Sequence, residues 1–193
     1  MPIETSETIC SIATSTGRGG IGIIRVSGPK TNRIALEVLG FEPTPRHAYS
    51  SNFLNNDKNI IDSGIAIYYA GPNSFTGEDT LELQGHGGSQ IMHAVLDRVI
   101  SLGARQSHPG EFSERAFLNN KIDLVQAEAI ADLIDASSKQ AARSAVRTLQ
   151  GEFSKRIAEL QNQLTAARVN VEAAIDFSDE DIDILSDTRV SNT

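Results

Sequence analysis

The chain has 193 residues, enough for one or two domains, and its 39% hydrophobic and 22% charged content is that of an ordinary globular protein. The single cysteine, Cys10, excludes an internal disulfide and agrees with a reducing compartment, and no apolar run approaches membrane-spanning length. The net charge of −8 is localised: Asp176, Asp179, Glu180, Asp181, Asp183 and Asp187 supply six of those charges, so the remainder is near neutral and neither excludes nor advertises an anionic partner.

The start MPIETSETIC has neither the basic region nor the apolar core of a signal peptide, so a cytoplasmic protein without a membrane partner is expected. Thr8–Ala13 reads as a strand and Thr16–Gly22 as a Gly-rich turn. Gly17, Gly19 and Gly22 satisfy G-x-G-x-x-G, but a dinucleotide fingerprint must open a helix, and Ile23-Ile24-Arg25-Val26-Ser27 is strand-like. A tight turn is the expectation. Gly28-Pro29 then starts a helix that stops at Gly40, with Ile34, Ala35, Val38 and Leu39 inward. His47–Leu54 and Ile60–Tyr69, split by a polar turn, predict a hairpin, and after a polar loop over Gly71–Asp79 comes a strand in which Leu81 and Leu83 share one face. Ser89–Leu102 predicts an amphipathic helix with Ile91, Val95, Leu96 and Val99 inward, and Ala104–Ser107 one more short strand.

Pro109–Leu124, PGEFSERAFLNNKIDL, separates this Gly- and Pro-punctuated half from one with no Pro and no Gly after Gly151. It reads as a domain junction, with residues 1–121 before it and 122–193 after it. Asp123 and Gln126 have capping-box spacing, and Lys121 is the last exposed charge before the new helix. Leu124, Ala127, Ile130, Ala131 and Ile134 form a first helical stripe, and a continuous pattern from Val146 through Phe153, Leu160 and Val171 to Ala174 predicts one long helix that needs partners for its apolar side. The fold class expected is α+β, a mixed sheet with helices, followed by an all-α segment.

Two charges stand where apolar residues are expected: Arg25 among Ile23, Ile24 and Val26, and Glu82 between Leu81 and Leu83. Either they form a mutual salt bridge or lie on a solvated sheet face, or they make a polar clamp in a ligand pocket. A carboxylate can accept two hydrogen bonds from a cyclic amidine such as a pterin edge, and an arginine can bind a carboxylate bidentately. His86, with His47, His93 and His108 scattered, supports neither a metal site nor a catalytic dyad, so a turn role is expected. Arg143 and Arg147 lie one helical turn apart and read as solvent-facing charge before nucleic-acid contacts. The acidic run from Asp176 lacks the glycine and closing glutamate of a calcium loop.

The blocks TSTGRGGIGIIRVSG, PNSFTGEDTLELQGHGG, PGEFSERAFLNNKIDLVQAEAIADLIDASS, AARSAVRTLQGEFS and VEAAIDFSDEDID, in this order over nearly the whole chain, resemble the N-terminal part of the tRNA-modifying GTPase family. The resemblance implies an N-terminal domain similar to the tetrahydrofolate-binding domain of aminomethyltransferases, which also forms a homodimer, and then the start of a helical domain. It implies formyl- or methylene-tetrahydrofolate as cofactor, with contacts at Arg25, Glu82 and Lys121, and no catalytic residue in this portion. It further implies a flavin-dependent partner protein, tRNA as substrate, and an aminomethyl or carboxymethylaminomethyl group added at carbon five of the wobble uridine. A stand-alone folate-binding or dimerisation module without catalysis is the alternative. The family's GTPase domain, with its GTP, magnesium and potassium, has no counterpart here: no G-x-x-x-x-G-K-[ST] occurs in the sequence. The chain alone is therefore expected to bind no GTP, and saturable binding at micromolar concentrations in equilibrium dialysis would contradict this.

Overall fold

The computed structural model describes residues 7–15, 17 and 19–176 and separates into two units, Met1–Leu124 and Val125–Thr193. In the first, strands β1 (Ile9–Ile12), β2 (Gly22–Ser27), β3 (Ala48–Leu54), β4 (Ile60–Tyr69), β5 (Thr80–Gly85) and β6 (Arg105–Gln106) form one sheet in the order β3-β4-β5-β2-β1-β6. Every described pairing is antiparallel except β1 with β6, which is parallel because α2 (Ser89–Ser101) carries the chain across between β5 and β6.

Strand alternation sends Cys10, Ile24, Val26, Ala66, Tyr68, Leu81 and Leu83 to the face covered by α1 (Thr31–Leu39) and α2, whose Ile34, Val38, Val95 and Val99 complete the core. The inward face of α1 is the expected Ile34, Ala35, Val38 and Leu39, and the helix ends at Gly40 in the left-handed region. In α2 the fourth inward residue is Met92 rather than Ile91, which is only half-buried. Gly22, the last of the glycine pattern, is the first residue of β2, and a Cβ there would collide with Met92. Cys10 is fully buried in this core, and burial raises its thiol pKa to about 11.

The junction contains a helix of its own, α3 (Glu111–Leu118). Its buried Arg115 donates to Glu111 Oε1 at 3.0 Å one helical turn away and to Glu78 Oε2 at 3.0 Å in the 71–79 loop. Arg105 on β6 completes the cluster, donating to both Glu111 oxygens at 2.6 and 2.8 Å.

In the second unit, α4 (Leu124–Ile134) buries Ala129, whereas Leu124 and Ile134, at the two ends of the expected stripe, are exposed. The long helix expected from Val146 to Ala174 is two: α5 (Lys139–Leu149), capped by Ser138 Oγ accepting from Ala141 N–H at 3.1 Å, and α6 (Glu152–Asp176). The break falls at Gly151, whose φ of 82° no continuing helix can adopt. Val146 and Leu149 thus belong to α5, and the periodicity read across Gly151 joins the apolar residues of two separate helices. Beyond Asp176 the acidic run lies outside the described residues.

Glu111 ties pH to stability. The bonds from Arg105, with those from the His108 amide and Arg115, hold its carboxyl at about 2 against burial, which works the other way. That is below its ordinary value of 4.5, so the stability it contributes is complete above about pH 4.5 and is lost as pH falls towards 2. Urea unfolding at a series of pH values should show this acid slope, and Glu111→Gln should flatten it.

Candidate ligand site on the uncovered sheet face

The face opposite α1 and α2 carries the alternate residues of each strand. Register sets Arg25 on β2 directly opposite Glu82 on β5, with Ser11 on β1 and Ile67 on β4 completing the row. Arg25 donates from Nε at 3.0 Å and Nη2 at 2.7 Å, both to Glu82 Oε1. Among the described residues, Glu82 Oε2 and Arg25 Nη1 have no hydrogen-bond partner. The pair is partly open: the arginine side chain is 32% exposed and the glutamate 15%. The guanidinium also lies 5.8 Å from the ring centre of Phe75, in the 71–79 loop, and 5.9 Å from that of Phe112, on α3.

The 71–79 loop is held from several directions. Gly28 N–H donates to Asp79 O at 3.0 Å, Asn119 Nδ2 to Thr76 O at 2.7 Å, and Ser27 Oγ to Glu78 Oε2 at 2.8 Å, while Thr76 is fully buried. Lys121 belongs to this set. Its ammonium donates to Pro72 O at 2.9 Å and its stem packs where Gly77, at φ 79°, leaves room. Of the three residues singled out in the sequence, the structure joins Arg25 and Glu82 to each other and ties Lys121, beyond α3, to the loop that carries Phe75.

His86, just after β5, bonds to Asp62 on β4. Its ring Nδ1 is 2.7 Å from Asp62 Oδ1, and its backbone N–H donates to Asp62 Oδ2 at 2.8 Å. Burial disfavours the Asp62 carboxylate, yet the bonds from His86 and the Ser63 amide keep its pKa below the usual range. Arg147 is exposed and pairs with Glu152 across the α5–α6 turn. No group of three or more His, Cys, Asp or Glu among the described residues could hold a metal, and no described helix is long and apolar enough to cross a membrane. A concavity of about 630 Å³ lies between the β1–β2 loop and α2, and neither Arg25 nor Glu82 lines it. Gly17 and Gly19 line it, but the strand after them gives none of the helix that a dinucleotide needs.

Sequence reasoning missed Phe75, Phe112, Glu78, Arg115 and Asp62. Phe75 left the clearest signal, as a lone aromatic in the polar stretch PNSFTGED that is 39% exposed in the structure. The acids and Arg115 look like surface charges until the sheet brings them together.

Two family models divide the chain: GTP-binding protein TrmE N-terminus matches residues 8–121 and MnmE helical domain matches 124–193. The chain belongs to the TrmE/MnmE family. It is 61% identical to the tRNA modification GTPase MnmE of Pseudomonas paraeruginosa over 185 residues, which are 96% of this chain and 41% of that protein. The MnmE proteins of Saccharophagus degradans and Coxiella burnetii are each 60% identical over 187 residues, 97% of this chain and 41% of theirs. The chain therefore spans about two fifths of the length of these MnmE relatives.

Because the guanidinium of Arg25 is a third exposed, water screens its pairing with Glu82. Glu82→Gln should lower the unfolding free energy of the ligand-free chain by only about 1 kcal/mol or less in urea titrations. A loss of roughly 3–5 kcal/mol would mark the pair as a buried structural bridge instead.

Proposed function

We propose that this chain is the tetrahydrofolate-binding and dimerising portion of a cytoplasmic tRNA-modifying GTPase, with residues 1–121 as that domain and 122–193 as the start of the helical domain. The intact protein, with a flavin-dependent partner, would add an aminomethyl or carboxymethylaminomethyl group at carbon five of the tRNA wobble uridine. Formyl- or methylene-tetrahydrofolate supplies the one-carbon unit when bound. GTP, with magnesium and potassium, would belong to a part of the family outside this chain.

The observation that carries the reading is the spare hydrogen-bonding capacity of the Arg25–Glu82 pair. A purely structural bridge of this pair would be expected to use both carboxylate oxygens in a fork. Here both N–H groups converge on Oε1, so Oε2 remains available to the ring N–H or amino group of a pterin, and Arg25 Nη1 to an acceptor on the ligand. Lys121 spends one of its three donors on Pro72 O and keeps two for an anionic group. The same sheet face leaves Ile65 43% exposed beside the site, apolar surface that suits the proposed second copy.

Calorimetric titration of the purified chain with 5-formyl-tetrahydrofolate tests this, with sedimentation of the same samples for the dimer. Saturable binding is expected, weakened on the order of a hundredfold by Glu82→Gln, whose amide replaces an acceptor with a mismatched donor. Lys121→Ala should weaken it several-fold only, since an exposed point charge is screened. Absence of binding by the unmodified chain overturns the folate reading, and a monomer well above micromolar concentration overturns the dimer.

A further inference from the structure

The two phenyl rings at Arg25 come from separate elements, Phe75 from the 71–79 loop and Phe112 from α3. Neither is spent on the core between the sheet and its helices, whose packed residues include neither ring. Phe75 is 39% exposed on a loop that five hydrogen-bonded anchors hold in place, so its exposure is not the slack of a loose segment. The same buried guanidinium, Arg115, bonds Glu78, one residue from the end of that loop, and Glu111 beside Phe112, and so ties together the two elements that carry the rings. Phe112 is also a wall of an open depression of about 440 Å³ that includes Ser11, the cross-strand neighbour of Arg25.

Within about 6 Å of both ring centres the Arg25 guanidinium presents a flat, two-donor edge to Glu82. A 2-amino-pyrimidinone ring presents the same edge, a ring N–H beside an amino group, on the same planar π-surface. We propose that Phe75 and Phe112 are specificity-determining residues that stack the flat pyrimidinone half of the pterin and so select ligands by that ring, with Arg115 as the positioning residue that holds the two walls in register. This inference rests on the folate reading above and adds to it a recognition element that acts on the heterocycle, not on the tail.

The test compares three ligands by calorimetry: 5-formyl-tetrahydrofolate, tetrahydropterin, which is the ring alone, and p-aminobenzoyl-glutamate, which is the tail alone. Phe75→Ala and Phe112→Ala should each weaken 5-formyl-tetrahydrofolate about tenfold or more, the scale of a lost base-to-aromatic stack, and weaken tetrahydropterin alike. Aminobenzoyl-glutamate should be unaffected, and Phe75→Tyr should restore binding. Phe112→Leu keeps apolar bulk without a π-face; if Phe112→Ala fails to fold by circular dichroism, the same loss is expected from Phe112→Leu. Folate binding by the parent chain that both substitutions leave within twofold overturns the aromatic walls while the folate reading stands. Equal losses for the tail alone also overturn them, and no folate binding by the parent chain overturns both readings.

Discussion

One buried guanidinium organises the working side of this protein. Arg115 is 3% exposed, and an arginine so enclosed is tolerable only when carboxylates neutralise it from more than one direction. Glu78 and Glu111 do so, and Arg105 pairs in turn with both oxygens of Glu111. The cluster therefore joins a loop, a helix and an edge strand that have no regular backbone pairing with one another. Without it the 71–79 loop would lose its ion pair to α3, and only the bond from Asn119 at the end of that helix would still join the two.

The sheet supplies the other half of that frame. A face with helices on it must be apolar, and here it is; the opposite face is free to carry a row such as Ser11, Arg25, Glu82 and Ile67. Antiparallel register puts the two charges opposite each other, so their meeting follows from the same alternation that buries Ile24, Val26, Leu81 and Leu83. A one-residue slip of β2 against β5 would bury the arginine and expose its apolar neighbours, so the core itself keeps this ion pair in place.

Most of the first unit was legible because its signals are local. Alternation gave β5, apolar runs gave β2 and, with a polar turn, the β3–β4 hairpin, glycine gave the end of α1, and misplaced charge gave Arg25 and Glu82. Met92 replaced Ile91 in the α2 face because the gap beside Gly22, a tertiary fact, takes the flexible side chain. The parallel pairing of β1 with β6, the ties of Arg115 and the anchoring of Lys121 to Pro72 join residues far apart in sequence, and no local pattern encodes them. In the second unit, periodicity read through Gly151 as one helix because the glycine ends α5 in the backbone while the three-and-four spacing of apolar residues continues in the sequence.

The position of Cys10 has a practical consequence. Its sulfur sits fully buried in β1, between β2 and the parallel edge strand β6, and its proton is held tightly enough that little thiolate forms near neutral pH. A thiol reagent can therefore reach it only when the sheet opens, and the chain holds no second cysteine to confuse the signal. The rate of its alkylation is a built-in clock for openings of the sheet, readable by mass without any added label.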